Sequence, residues 1–212
     1  IDNMAIDRPM AATRPEYPSI EPMITTRWNQ DAPYNALCPS YDGLQSVTGC
    51  VATAMAQIMA YHKWPAQGKG EHQYFYRNDW ISLDFSQITY DWENMLDSYA
   101  GNAGTEQQRY AVANLMYSCG VSTEMNYSPL QSGAPDALVS SALVNYFDYD
   151  QGVRYAERDY FGQLEWEDFI YGQLRDHGPV QYSGSSNSGG HSFICDGYSS
   201  DGYFISIGDG EE

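Results

Sequence analysis

The chain has 212 residues, 42% of them hydrophobic, enough to bury one large domain or two lobes sharing a cleft. Ten Lys and Arg against 28 Asp and Glu leave a formal net charge of -18, which opposes phosphate backbones and anionic membranes, so nucleic acid is excluded as a natural partner. No stretch approaches the roughly 18 consecutive apolar residues of a membrane span, and the N-terminus lacks the basic-then-apolar pattern of a signal peptide. The chain therefore reads as a processed protein with no membrane span, and its Tyr-, Trp- and Gly-rich composition points to an extracellular bacterial setting.

Residues 1–19, with Pro9, Pro15 and Pro18 among small and charged residues, have no usable period and read as a leader. They are expected to be the remnant of a removed pro-segment or a strap along the surface, ahead of a domain over 20–212. After a loop-rich stretch from Ile20 to Ser40, the run Thr48-Gly49-Cys50-Val51-Ala52-Thr53-Ala54 places a thiol on the first turn of a helix. Thr48 is an acceptable N-cap, and Gly49 lets the chain turn closely ahead of the sulfur. Val51, Met55, Ile58 and Met59 recur at helical spacing, small alanines allow close packing on several sides, and Pro65 predicts an end near Lys63. A central helix follows.

A short aromatic strand is predicted at His72 to Arg77. Helices follow from about Gln107 to Cys119 with Gly120 as the stop, from Pro135-Asp136 through Tyr146, and from about Leu164 to Asp176 with Gly178 as the stop. Then the pattern changes: Pro179 to Gly184, His191 to Tyr198 and Gly202 to Ile207 are Val-, Ile-, Phe- and Tyr-rich runs parted by Gly and Ser, as in antiparallel strands. Helices first and sheet after make the class α+β, with two halves across a cleft.

The four Cys, at 38, 50, 119 and 195, lack metal-ligand spacing, so a structural zinc site is not expected. Cys50 stands apart because unpaired N–H groups and the partial positive charge at a helix start favour a thiolate. A cysteine nucleophile needs an acid and base, and imidazole serves as both near neutral pH. His62 lies on the same helix, about 18 Å along at about 1.5 Å per residue, out of reach of the thiol. His72 and His177 fall in loop or helix-end sequence. His191 opens a strand after Gly189-Gly190, whose paired glycines admit another backbone or a substrate, and alternation groups it with Phe193 and Cys195. Taken singly, a strand histidine bonded to a carbonyl and a cysteine serving as a small hydrophobe are the plainer readings.

A helix-borne Cys followed by a strand-borne His is the chain order of papain-like peptidases. More closely, the sequence resembles the streptopain/interpain family of secreted bacterial cysteine peptidases. The resemblance is carried by Trp28-Asn29-Gln30, Ala32-Pro33-Tyr34-Asn35, the Cys50 segment through Tyr61-His62, Asp91 to Leu96, Gly189-Gly190-His191 and Asp196-Gly197, and it extends from about Ile20 to Phe204. It implies a papain-like two-lobed fold, with Cys50 on a central helix of the N-terminal lobe and His191 on the antiparallel sheet of the C-terminal lobe. It also implies a secreted endopeptidase made as a zymogen, with Cys50 as nucleophile, His191 as its partner and no metal or organic cofactor; the oligomeric state is open, with a monomer as the default. Protein or peptide substrates and its own cleaved prodomain are the implied partners.

Two departures stand out. The family's Asn-Trp-Gly-Trp-Gly hairpin, which orients and shields the imidazole, has no counterpart after Phe204. Two explanations stand, an unnumbered segment between Phe204 and Ile205 that carries it or a truncated chain of low activity, and the first is the preferred expectation. The family's side-chain oxyanion donor is a Gln shortly upstream of the histidine, where Ser183 stands here, and Gln45 is the other candidate. The alternative reading is an extracellular protein- or glycan-binding module, rich in exposed aromatics, with an inert Cys50.

Overall fold

The computed structural model describes residues 16–187 and 189–206. The element carrying the candidate nucleophile is a helix, α1, over Cys50–His62, and it is the centre of the larger apolar cluster. Its sequence explains its burial: Val51, Met55 and Met59 are buried, and alanines at 52, 54 and 56 let neighbours approach from the remaining sides. The helix ends as expected, with Lys63 in the left-handed region ahead of Pro65. Its start differs. Gly49, not Thr48, is the N-cap and supplies no side chain, while the Thr48 hydroxyl turns inward to the Thr53 hydroxyl at 2.9 Å. Thr53 in turn donates to the Gly49 carbonyl at 3.0 Å. A buried threonine pair therefore braces the first turn, and the first N–H groups of α1 stay unshielded by a capping side chain.

Around α1 the N-terminal lobe adds two short strands, β1 (Ser40–Tyr41) and β2 (Leu44–Gln45), and an antiparallel hairpin of β3 (Glu71–Tyr76) and β4 (Asp79–Asp84). His72 lies on β3 and not in a loop. Helix α2 spans Glu106–Ser122 behind a capping box of Thr105 and Gln108. It runs through Gly120, the expected stop, because that glycine lies inside the helix where Tyr127 packs directly onto its Cα. Helix α3 is Ala137–Tyr146.

The C-terminal lobe has its own apolar cluster. Helix α4 (Gln163–His177) lays Ile170, Tyr171 and Leu174 against a three-stranded antiparallel sheet in the order β5 (Val180–Ser186), β6 (Gly189–Ser199), β7 (Gly202–Ser206). His177 is the last residue of α4, before Gly178, whose φ is 98°. Strand β7 runs without a break through Phe204 and Ile205, which pair with Gly197 and Cys195, so the expected unnumbered segment between them does not exist. Residues 207–212 lie outside the described part, as do residues 1–15 of the expected leader.

Residues 17–27 cross both lobes as a strap. Ile20 and Tyr198 exchange backbone hydrogen bonds of 2.8 Å in both directions, and Tyr17 stacks on Tyr171 with ring centroids 4.1 Å apart. Met23 and Ile24 donate to Asp196 on β6, at 3.1 Å to its carbonyl and 3.0 Å to its carboxylate. Thr26 then reaches Gln57 of α1 at 2.9 Å, and Arg27 donates to the Asp97 carbonyl at 2.7 Å. One extended segment thus fastens the sheet to the central helix.

Candidate active site

Cys50 is the first residue of α1 and is partly exposed, whereas Cys38, Cys119 and Cys195 are buried; all four thiols are free. Burial pushes the Cys38 and Cys195 thiols up to about 12 and the Cys119 thiol higher still. Three sulfurs are therefore held as inert packing groups, and the one at the helix start is left reachable.

The approach to Cys50 is built on contact with a neighbouring loop. Gly49 has φ 88°, and a Cβ there would stand 2.7 Å from the Met125 sulfur and 3.0 Å from the Ser132 carbonyl oxygen. That loop is stapled to the chain ahead of the thiol: Val47 N–H donates to Ser128 O at 3.1 Å, and the Ser132 hydroxyl donates to Val47 O at 2.7 Å. The β3–β4 hairpin holds the loop from behind, with Tyr74 and Tyr76 hydroxyls donating to the Met125 and Tyr127 carbonyls at 2.8 and 3.0 Å.

Strands β5 and β6 both contact α1. On β5, Gln181 donates to the Val51 carbonyl at 3.3 Å, which sets that strand against the first turn of α1. Gln181 pairs with Ile194, and Asp196 lies two residues further along β6, tied through the strap to Gln57 in the second half of α1. Strand β6 therefore runs in the same direction as α1. His191, three residues before Ile194, lies about 10 Å further toward the start of the helix at about 3.3 Å per residue. The two elements carrying Cys50 and His191 are thus in contact, with both residues at the same end.

Directly paired residues share a face of the sheet. Val180, Tyr182, Phe193 and Cys195 face α4, and Gln181, Ser183, Ser192 and Ile194 occupy the face that meets α1. An aromatic row on the α4 side ends at the candidate histidine: Trp166 lies 5.8 Å from Tyr182, Tyr182 lies 5.6 Å from Phe193, and Phe193 stacks on His191 at 6.3 Å. The imidazole leans on that row.

Gln45 is committed elsewhere. Its amide donates to Asn35 O at 2.8 Å and to Cys38 O, and its own oxygen accepts from Ser40 at 2.6 Å. Ser183 stands on β5 opposite Ser192. Among the described residues no group of three or more His, Cys, Asp or Glu could hold a metal ion. Sequence reasoning missed the loop of Met125 to Ser132, Gln181, and the contact in which the Ser192 hydroxyl donates to the Asp136 carboxylate. None of these carries a motif, because each acts through long-range backbone placement.

Residues 28–210 match the family profile described as Peptidase C10 family. The chain is 36% identical over 181 residues to the thiol protease/hemagglutinin PrtT of Porphyromonas gingivalis, covering 84% of this chain and 21% of that protein. It is 33% identical over 218 residues to streptopain of Streptococcus pyogenes, covering 92% of this chain and 54% of the relative. It thus spans about a fifth and about half of these two curated relatives. Among solved structures, active wild-type interpain A cysteine protease of Prevotella intermedia superposes with a TM-score of 0.84 at 37% identity, over 91% of this chain and 83% of that one. A prointerpain A fragment from the same organism matches with the same score and identity over 63% of its length.

Proposed function

This chain belongs to the peptidase C10 family, and from that premise we propose that it is a secreted cysteine endopeptidase in which Cys50 attacks the peptide carbonyl and His191 moves the protons. The observation that carries the reading is the contrast among the thiols: three are buried, and Cys50 alone heads a helix at the side where the His191 strand crosses. The free N–H groups of the first turn of α1 stabilise a thiolate and, at Cys50 itself, donate to the oxyanion of the tetrahedral intermediate. His191 takes the thiol proton, returns it to the leaving amine, and then activates water to hydrolyse the thioester. Protein or peptide chains are the substrates, and a cleaved prodomain is an expected partner, in keeping with the prointerpain fragment among the similar structures.

The test is twofold. Cys50→Ala should fold with an unchanged melting profile and lose casein cleavage, while an epoxysuccinyl reagent should label wild-type protein once, at Cys50. An active, folded alanine variant would overturn the assignment. A second reading, an aromatic-rich binding module with an inert Cys50, draws on Phe75 and Trp80, which are 58% and 60% exposed and cross at 5.4 Å on the β3–β4 hairpin. It requires the opposite result: no labelling and no cleavage.

A further inference from the structure

We propose that Asp136 and Ser192 form a latch that positions the His191 strand over the start of the Cys50 helix; the proposal rests on the peptidase reading above. Ser192 directly follows His191 on β6 and is 3% exposed, and its hydroxyl donates to the Asp136 carboxylate. Asp136 closes the same segment whose other end, Ser132, abuts Gly49 and is bonded to Val47. Four residues, at most about 14 Å of chain, therefore lead from the nucleophile's support to the histidine's strand. The first end is fixed by the Ser132 hydroxyl, and the latch fixes the second.

A second observation shows that this carboxylate is diverted from its ordinary use. Asp136 occupies the N-cap position of α3, where an aspartate side chain normally accepts from the first N–H groups, yet it makes no capping bond there. Its oxygen goes to Ser192 instead. Neither partner is well served alone: a buried serine hydroxyl without an acceptor is costly, and the carboxylate would swing back to the helix end. The contact lies on the α1-facing side of the sheet, in line with the Gln181–Val51 bond, so the two hold the sheet to the nucleophile's side at neighbouring points. Asp136 and Ser192 are positioning residues, since neither needs to touch the reacting atoms.

The experiment is a double-mutant cycle on the full chain with Asp136→Ala, Ser192→Ala, their combination and Asp136→Asn. The readouts are kcat and KM on a peptide substrate and the rate of Cys50 alkylation by iodoacetamide. Each alanine variant should lower kcat about ten- to a hundredfold with KM held within about twofold, and the double variant should be no slower than the worse single. Asp136→Asn, which keeps an acceptor for the hydroxyl, should stay near wild type. Should Asp136→Ala fail to fold, Ser192→Ala, which removes one oxygen, carries the test with Asp136→Asn. Folded single variants with unchanged kcat, or effects that multiply in the double, overturn the latch alone. If wild-type protein neither cleaves peptide nor is alkylated at Cys50, the peptidase reading falls and the latch with it.

Discussion

Gly49 stands with its Cα against the sulfur of Met125, so close that a methyl group would come within 2.7 Å of it. The glycine also has φ 88°, a conformation that side-chain-bearing residues rarely adopt. Gly49→Ala combines backbone strain with a clash against a carbonyl oxygen, and should cost about 2–4 kcal/mol of unfolding free energy. Urea denaturation measures it. Because the displaced loop also supports the approach to Cys50, alkylation of the thiol should slow in the same variant. A stability loss under about 0.5 kcal/mol would mean the loop yields freely.

The buried thiols set an alkaline limit. Cys38 and Cys195 are held protonated by burial up to about 12, whereas in an unfolded chain they ionise from the reference value of 9.0. A raised folded pKa in an acid means that the unfolded state loses protons first, so stability is complete below pH 9 and falls as pH rises toward 12. Each thiol should remove about 1.4 kcal/mol per pH unit in that window. Tyr34, raised from 10.0 to about 12 by burial, steepens the loss above pH 10. Urea midpoints taken at pH 8, 9 and 10 should descend, and the Cys38→Ala/Cys195→Ala pair should flatten the descent. A slope unchanged by that pair would refute the account.

The sequence made the helices and the sheet legible because their signals are local. The period of α1, the stop at Pro65 and the strand runs after Pro179 all sit within one element. What it concealed depends on distant partners. Gly120 reads as a helix stop until Tyr127 is seen packed against it, and Thr48 reads as a cap until Thr53 claims its hydroxyl. Strand β4 escapes notice because its apolar positions are few: Ile81 is buried while Trp80 is exposed, so the alternation that marks a half-buried strand is weak. The Cys50 and His191 segments were readable from their flanking residues, but the supports at Met125, Ser132, Asp136 and Gln181 follow only from the packing of the chain.

Gln45 offers a separation of structure from catalysis. Its amide joins the Asn35 and Cys38 carbonyls, closing the loop that leads to α1, so its N–H groups have partners in the folded protein. Gln45→Ala should cost about 1 kcal/mol of stability through the lost bonds. Its kcat on a peptide substrate should remain within about threefold of wild type, in contrast to the 10²–10³-fold, roughly, expected on removal of an oxyanion donor. A drop of that larger size with stability intact would reassign Gln45 to the reaction.

Gln57 marks the point where the strap meets the central helix, and its two amide atoms are unequal. Its oxygen accepts from Thr26 at 2.9 Å, while its nitrogen, in a side chain 2% exposed, has no hydrogen-bond partner among the described residues. Replacing the whole amide by an apolar group of similar shape removes both the bond and the unpaired donor. Gln57→Met should therefore change stability by less than about 1 kcal/mol in either direction. Thr26→Val is different. It deletes the donor and leaves both amide atoms of Gln57 buried without partners, so it should destabilise by about 1–3 kcal/mol. The half-buried Thr26, by contrast, can turn to solvent when Gln57 is replaced. Denaturant titration of the two variants ranks them, and a Gln57→Met loss larger than that of Thr26→Val would show that the amide nitrogen is satisfied in solution.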